Sequence, residues 1–121
     1  MKRLYKYSII SQMVFAIGHI IYTPIAHASL NEPAVWFFSG ALTLLLSGFL
    51  NYMNLVIPDR ILYRVTALAN FLLVLFTSVL AFVVPEPQCI ALVFANILLL
   101  IFGLTGSAFS RPEVKRFSDF Q

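Results

Sequence analysis

Apolar residues fill four long stretches of this chain, residues 8–29, 34–57, 61–84 and 88–109, and three short polar connections separate them. Apart from Arg64 in the first turn of the third, none of these stretches holds a Lys, Arg, Asp or Glu. A helix needs roughly 20 apolar residues to cross a hydrocarbon core about 30 Å thick, so each stretch is long enough to span. The runs show no sustained two-residue alternation and four strands cannot close a barrel, which argues against strands.

The connections are Leu30-Asn31-Glu32-Pro33, Pro58-Asp59-Arg60 and Pro85-Glu86-Pro87. Pro33 suits a first helical turn, Asp59 is a good N-cap, and Pro85 with Pro87 forms a turn through which no helix runs. Connections this short force neighbouring helices into antiparallel hairpins. The expected fold is an all-α membrane protein, a single domain over residues 1–121 made of one antiparallel four-helix transmembrane bundle.

Composition agrees with a bilayer as solvent, since 60% of the residues are hydrophobic and only 11% charged. Lys2, Arg3, Lys6, Arg60, Arg64, Arg111, Lys115 and Arg116 all fall on one side of the four spans, whereas Glu32 and Glu86 occupy the other two loops. The positive-inside rule predicts that both termini are cytoplasmic. The net charge of +3 is thus a topology signal, and its scatter makes no basic face for nucleic acid. Tyr5, Tyr7, Tyr52 and Tyr63 are expected at the cytoplasmic interface and Trp36 at the outer one. The lone Cys89 excludes an internal disulfide.

Residues 1–28 also have the form of a secretory signal, with a basic start, an apolar run and the small-x-small triplet Ala26-His27-Ala28. Cleavage after Ala28 would leave three spans. The length of the run and its Gln12, Gly18 and His19 favour a retained first span. Beyond Phe109, Ser110-Arg111-Pro112-Glu113 matches a capping box, and Val114, Phe117 and Phe120 recur at threes, the pattern of a short tail helix on the membrane surface.

Polar side chains inside a bilayer are costly, so their placement is informative. Gln12, His19, Thr23 and His27, with Tyr22 alongside, share one face of the first helix. Ser39, Thr43, Ser47, Asn51 and Asn54 do so on the second, Tyr63, Thr66, Asn70 and Thr77 on the third, and Asn96, Gly103, Ser107 and Ser110 on the fourth. Turned inward, these faces make a polar seam along the bundle axis. Counted inward from the cytoplasmic ends of the apolar stretches, His19, Ser47, Asn70 and Asn96 fall about 14–20 Å deep and form one layer, with Gln12 and Asn51 in a second layer nearer the cytoplasm. His19, Tyr22, Ser47, Asn51, Asn70 and Asn96 are the expected ligand-binding residues. Pro24 frees a backbone carbonyl near position 20 and can kink the helix beside His19. Asn, Ser and Thr also glue membrane helices together, and Gly40, Gly48, Gly103 and Gly106 suit close helix approach.

Several activities are disfavoured. His19 and His27 sit on one helix face about 12 Å apart and cannot clasp one haem iron. His27, Glu32, Glu86 and Cys89 are metal-ligand types in an unrecognised spacing, and ordinary interfacial roles are favoured for them. No span contains a carboxylate, and no serine has a nucleophile setting. Neither a metal, a cofactor nor a catalytic residue is assigned. Both hairpins stand the same way up, so an inverted-repeat transporter within one chain is not supported.

Gly18-His19, Thr23-Pro24, the run Val35-Trp36-Phe37-Phe38-Ser39-Gly40 and Leu50-Asn51 resemble segments of small four-span bacterial inner-membrane proteins of unassigned role. More distantly, size and hairpin layout are similar to the DoxX-like group, from which the second half of the chain departs. The resemblance implies a bacterial cytoplasmic membrane and carries over no functional residue. The expected role is binding or transport of a small amphipathic or polar ligand in the seam. The alternatives are a non-catalytic subunit or assembly factor of a larger membrane complex and, below both, a membrane-embedded isomerase or oxidoreductase using His19. Expected partners are membrane lipid, the small ligand and further copies of the chain in a homo-oligomer.

Overall fold

The computed structural model describes residues 1–111, which form four helices: α1 (Lys2–Ala26), α2 (Glu32–Val56), α3 (Arg60–Val83) and α4 (Pro87–Gly106). All four are long and apolar enough to cross a membrane, and no strand occurs among the described residues. The capping-box and tail-helix expectations reach past residue 111 and lie outside the described residues; Ser110 and Arg111 continue a turn.

Local chemistry explains most of the helix ends. The Asn31 side chain accepts a hydrogen bond from the Ala34 amide at 3.0 Å, and Pro33 occupies the first turn of α2 where no amide is needed. Asp59 does the same for α3 through the Leu62 amide at 2.7 Å. At α4 the stop and start are set by Pro85 and Pro87. In α1 the helix starts at Lys2, ahead of the apolar stretch, and ends at Ala26, two residues past Pro24 and short of the end of that stretch. Its first turn stays helical because Lys2, Arg3 and Lys6 are good helix formers that water can solvate, while Pro24 removes one helical hydrogen bond near its other end.

The helices run antiparallel in order. The Met1 carbonyl lies beside Gly106, so α1 begins where α4 ends. Lys2, Arg3, Lys6, Arg60, Arg64 and Arg111 therefore gather at one end of the bundle, here called the basic end, and Glu32 and Glu86 mark the opposite, acidic end. Along its length α1 packs on α2 and α4, and α3 packs on α4, whereas α2 and α3 touch over a short stretch only.

Burial is concentrated in two clusters. Tyr5, Ile9, Leu55 and Leu99 pack toward the basic end with Met13 and Phe102 against them; Ala16, Leu44 and Leu92 pack above with Phe15 and Leu45. Close approach of α1 to α4 depends on Gly106: a Cβ there would stand 2.9 Å from Tyr5 Cβ and 3.0 Å from the Met1 carbonyl oxygen. Around this core the outward faces carry large exposed apolar side chains such as Val14, Ile17, Leu46, Phe76 and Phe82, a surface suited to lipid and not to water.

Candidate functional site in the polar seam

The polar residues share the bundle interior, yet they divide into two sets with different surroundings. Toward the basic end they hydrogen-bond to one another. Asn51 and Asn70 exchange a reciprocal pair of amide hydrogen bonds, Asn51 Nδ2 donating to Asn70 Oδ1 at 2.9 Å and Asn70 Nδ2 donating to Asn51 Oδ1 at 2.8 Å. Tyr5 Oη donates to Asn51 Oδ1 at 2.7 Å and accepts from Asn54 Nδ2 at 2.9 Å. Asn54 Nδ2 also reaches the Gly103 carbonyl at 3.4 Å. One network thus ties α1, α2, α3 and α4, and Tyr5, Asn51, Asn54 and Asn70 are buried almost completely. Most polar atoms this deep are tolerated because they find a partner inside the protein, while Asn54 Oδ1 and, alongside, Gln12 Oε1 are buried without one.

A second polar contact lies alongside, where Gln12 Nε2 donates to Asn96 Oδ1 at 3.2 Å and Asn96 Nδ2 donates to the Leu92 carbonyl at 3.0 Å. Thr66 and Thr77 are buried as well, their hydroxyls turned onto the Leu62 and Leu73 carbonyls of their own helix. Below the network, the Ala108 amide donates to the Asn54 carbonyl at 2.9 Å and Arg111 Nη2 donates to the Leu55 carbonyl at 2.7 Å. These two bonds satisfy carbonyls that the last turn of α2 leaves free, and they bind the segment after α4 to the end of α2.

Toward the acidic end the interior opens. A groove of about 1000 Å³ runs between the helices, with His19 and Tyr22 from α1, Trp36 and Phe37 from α2, Phe76 from α3, and Glu86 at its mouth. A second groove of about 760 Å³ separates α2 from α3 and is lined by Ser39, Thr43 and Ser47 on one side and Phe76 and Thr77 on the other. Both are bordered by His19, Trp36, Gly40, Phe76, Leu80 and Leu92, so they adjoin around one axis. Gly18 and Gly40 face open space here: a Cβ at either position would meet nothing within 4 Å.

His19 is half-buried at this junction. Its ring stacks on Phe37 with centroids 4.8 Å apart and planes 16° from parallel, and Tyr22 and His27 lean on the same Phe37 ring at 6.1 and 5.8 Å. Nδ1 of His19 lies 3.3 Å from the Phe15 carbonyl. A carbonyl only accepts, so Nδ1 carries a hydrogen in this contact. Trp36 Nε1 donates to Glu32 Oε1 at 3.3 Å, and the Gln88 amide donates to the Glu86 carboxylate.

The expected ligand residues therefore fall in different places. His19 and Tyr22 border the larger groove, and Ser47 borders the smaller one. Asn51 and Asn70 lie in the network, and Asn96 lies one turn below the groove-lining Leu92 on its bond to Gln12. The layers differ from those counted along the sequence, because Asn70 joins Asn51 and Asn96 joins Gln12, with His19 apart from both. Depths counted along the sequence hold only where each helix starts at the edge of its apolar stretch. In α1 the start is Lys2, which raises His19 by about 9 Å relative to that count and puts it in the half nearer the acidic end.

Two residues have roles that their sequence setting did not disclose. Tyr5, expected in an interfacial belt, is fully buried at the centre of the network, because Gly103 and Gly106 of α4 leave room for its ring. Arg111, expected as a topology charge and as part of the segment after α4, caps α2. Gly103 and Gly106, spaced by three on α4, were the one available hint of a large partner side chain. Among the described residues no group of three His, Cys, Asp or Glu side chains is placed to hold a metal ion. Comparison of the chain with protein-family models, with curated proteins and with solved structures found no match.

Proposed function

We propose that this chain is a multi-pass protein of the bacterial inner membrane, with its basic end and both termini in the cytoplasm, that binds a small amphipathic molecule in the groove of its outer half. One observation carries the reading: the bundle is closed by hydrogen-bonded side chains in the basic half and open, aromatic and roughly 1000 Å³ in the acidic half. A cavity of that size matches the volume of small-molecule sites, which are mostly apolar with a few polar groups to orient the ligand. His19 Nε2 and the Tyr22 hydroxyl supply those groups. The closed half argues for a one-sided pocket instead of a continuous pore.

Gly40→Leu tests this. The added side chain enters open space, so the bundle keeps its helix content by circular dichroism while ligand volume is lost. Trp36, the sole tryptophan, borders both grooves, and its fluorescence reports occupancy by added amphiphiles. The expected result is saturable quenching in the wild type and its loss in Gly40→Leu. Equal quenching in both would remove the groove as the site.

A second reading, a non-catalytic subunit or self-associating component of a larger complex, is favoured by the thin contact between α2 and α3. Ser39, Thr43 and Ser47 line that gap at the small-xxx-small spacing by which membrane helices approach one another. Native mass spectrometry from mild detergent separates the readings: a 13.6 kDa monomer that retains ligand supports the pocket, and a defined larger species with an occupied gap supports the assembly.

A further inference from the structure

We infer, resting on the reading of the outer groove as a ligand site, that the groove selects lipophilic organic cations over anions of the same size and shape. Six ring systems border it: Phe15, His19, Tyr22, Trp36, Phe37 and Phe76. The faces of such rings carry the negative lobe of their quadrupole and attract an organic cation, most strongly where water is excluded. Among the described residues Glu86 is the only charged side chain lining the groove, and its hydrogen-bond partner is the neutral Gln88 amide. Glu32, held on the Trp36 indole, places a second carboxylate beside the same rim.

The polar groups inside point the same way. With Nδ1 donating to the Phe15 carbonyl, the neutral form of the His19 ring has its lone pair at Nε2, which an N–H or the positive edge of a cation can approach. Among the described residues no lysine or arginine borders either groove. Lys6, the nearest basic residue of α1 in sequence, stands about 20 Å from His19 by helical rise, so nothing on that helix compensates an anion in the groove. Apolar walls with a carboxylate at the mouth form a low-dielectric funnel of one sign, the arrangement that concentrates counter-ions. The matching ligand has a delocalised or alkyl-substituted positive centre and an apolar body.

Tetraphenylphosphonium and tetraphenylborate provide the test, being near-identical in shape and opposite in charge. Binding of each to the full chain in a neutral maltoside detergent is measured by equilibrium dialysis against protein-free micelles, for the wild type, Gly40→Leu and Glu86→Gln. The expected result is phosphonium binding at least about tenfold tighter than borate binding, abolished by Gly40→Leu. In Glu86→Gln, whose side chain is exposed and whose helix content should be unchanged, phosphonium affinity falls by about fivefold and borate affinity does not fall. Equal affinity for the two ions, with both lost in Gly40→Leu, overturns charge selection and leaves the ligand site standing. Binding of neither ion above the micelle blank overturns the cation site, and the amphiphile quenching of Trp36 then decides separately whether the groove binds anything.

Discussion

At the scale of single residues, the reciprocal amide pair of Asn51 and Asn70 is the clearest stabilising device in the interior. Asn51 uses both amide hydrogens, on Asn70 Oδ1 and the Ser47 carbonyl at 2.8 Å, and its oxygen accepts from Tyr5 and Asn70. Replacing Asn51 with Ala leaves the Tyr5 hydroxyl and the Asn70 amide without those partners in a buried site, which costs about 2 kcal/mol. Hydrogen bonds between membrane helices couple their partners by about 1 kcal/mol, so a double-mutant cycle of Asn51→Ala and Asn70→Ala should return a coupling of that size in a reversible unfolding assay. A coupling indistinguishable from zero would remove the pair as a stabilising unit. That Asn51 and Asn70 face inward follows from their helical spacing with other polar residues; that they face each other does not, because the stagger of two helices depends on where each one starts. Tyr5 was the least legible residue, since a tyrosine near a basic terminus has the same local sequence whether it lies in a belt or a core.

Among the elements, the hairpins could be read from proline and cap chemistry, and the Asn31 and Asp59 caps fall where short-range rules put α2 and α3. The offset of α1 could not, because apolar composition locates the bilayer-compatible stretch and is silent on how far a charged first turn extends beyond it. That offset decides the architecture of the interior: it carries Tyr5 inward to the network and His19 up to the groove. The glycines give a direct test of the resulting contacts. At Gly106 a methyl group meets Tyr5 Cβ and the Met1 backbone, which cannot yield independently, so Gly106→Ala should destabilise the bundle by about 1–3 kcal/mol. At Gly18 the same substitution enters open space and gains helix propensity, for a stabilisation of up to about 1 kcal/mol. Opposite signs for two Gly→Ala changes in the same bundle would be hard to obtain if α1 packed in another register; equal losses would refute this one.

For the whole molecule, the division of charge and the division of packing fall along the same axis. The end that carries the Lys and Arg side chains is the end where Asn51, Asn70, Tyr5 and Arg111 cross-link the helices, and the end marked by Glu32 and Glu86 is the one that opens. In the orientation proposed from the positive-inside rule, the groove would open to the outer leaflet and the outer aqueous phase and be closed toward the cytoplasm. The orientation can be measured with single-cysteine variants in which Cys89 is first replaced by Ser. A cysteine at Ala28, in the exposed loop between α1 and α2, should react with a membrane-impermeant maleimide added to intact cells. A cysteine at Pro58, exposed between α2 and α3, should react only after the cells are opened. The reverse pattern would turn the groove toward the cytoplasm, and any ligand would then have to enter from the inner leaflet. Modification of both positions in intact cells would mean that the chain inserts in two orientations. In that case the basic end no longer sets the direction of insertion, and a pocket open to one side alone would exist in only part of the population.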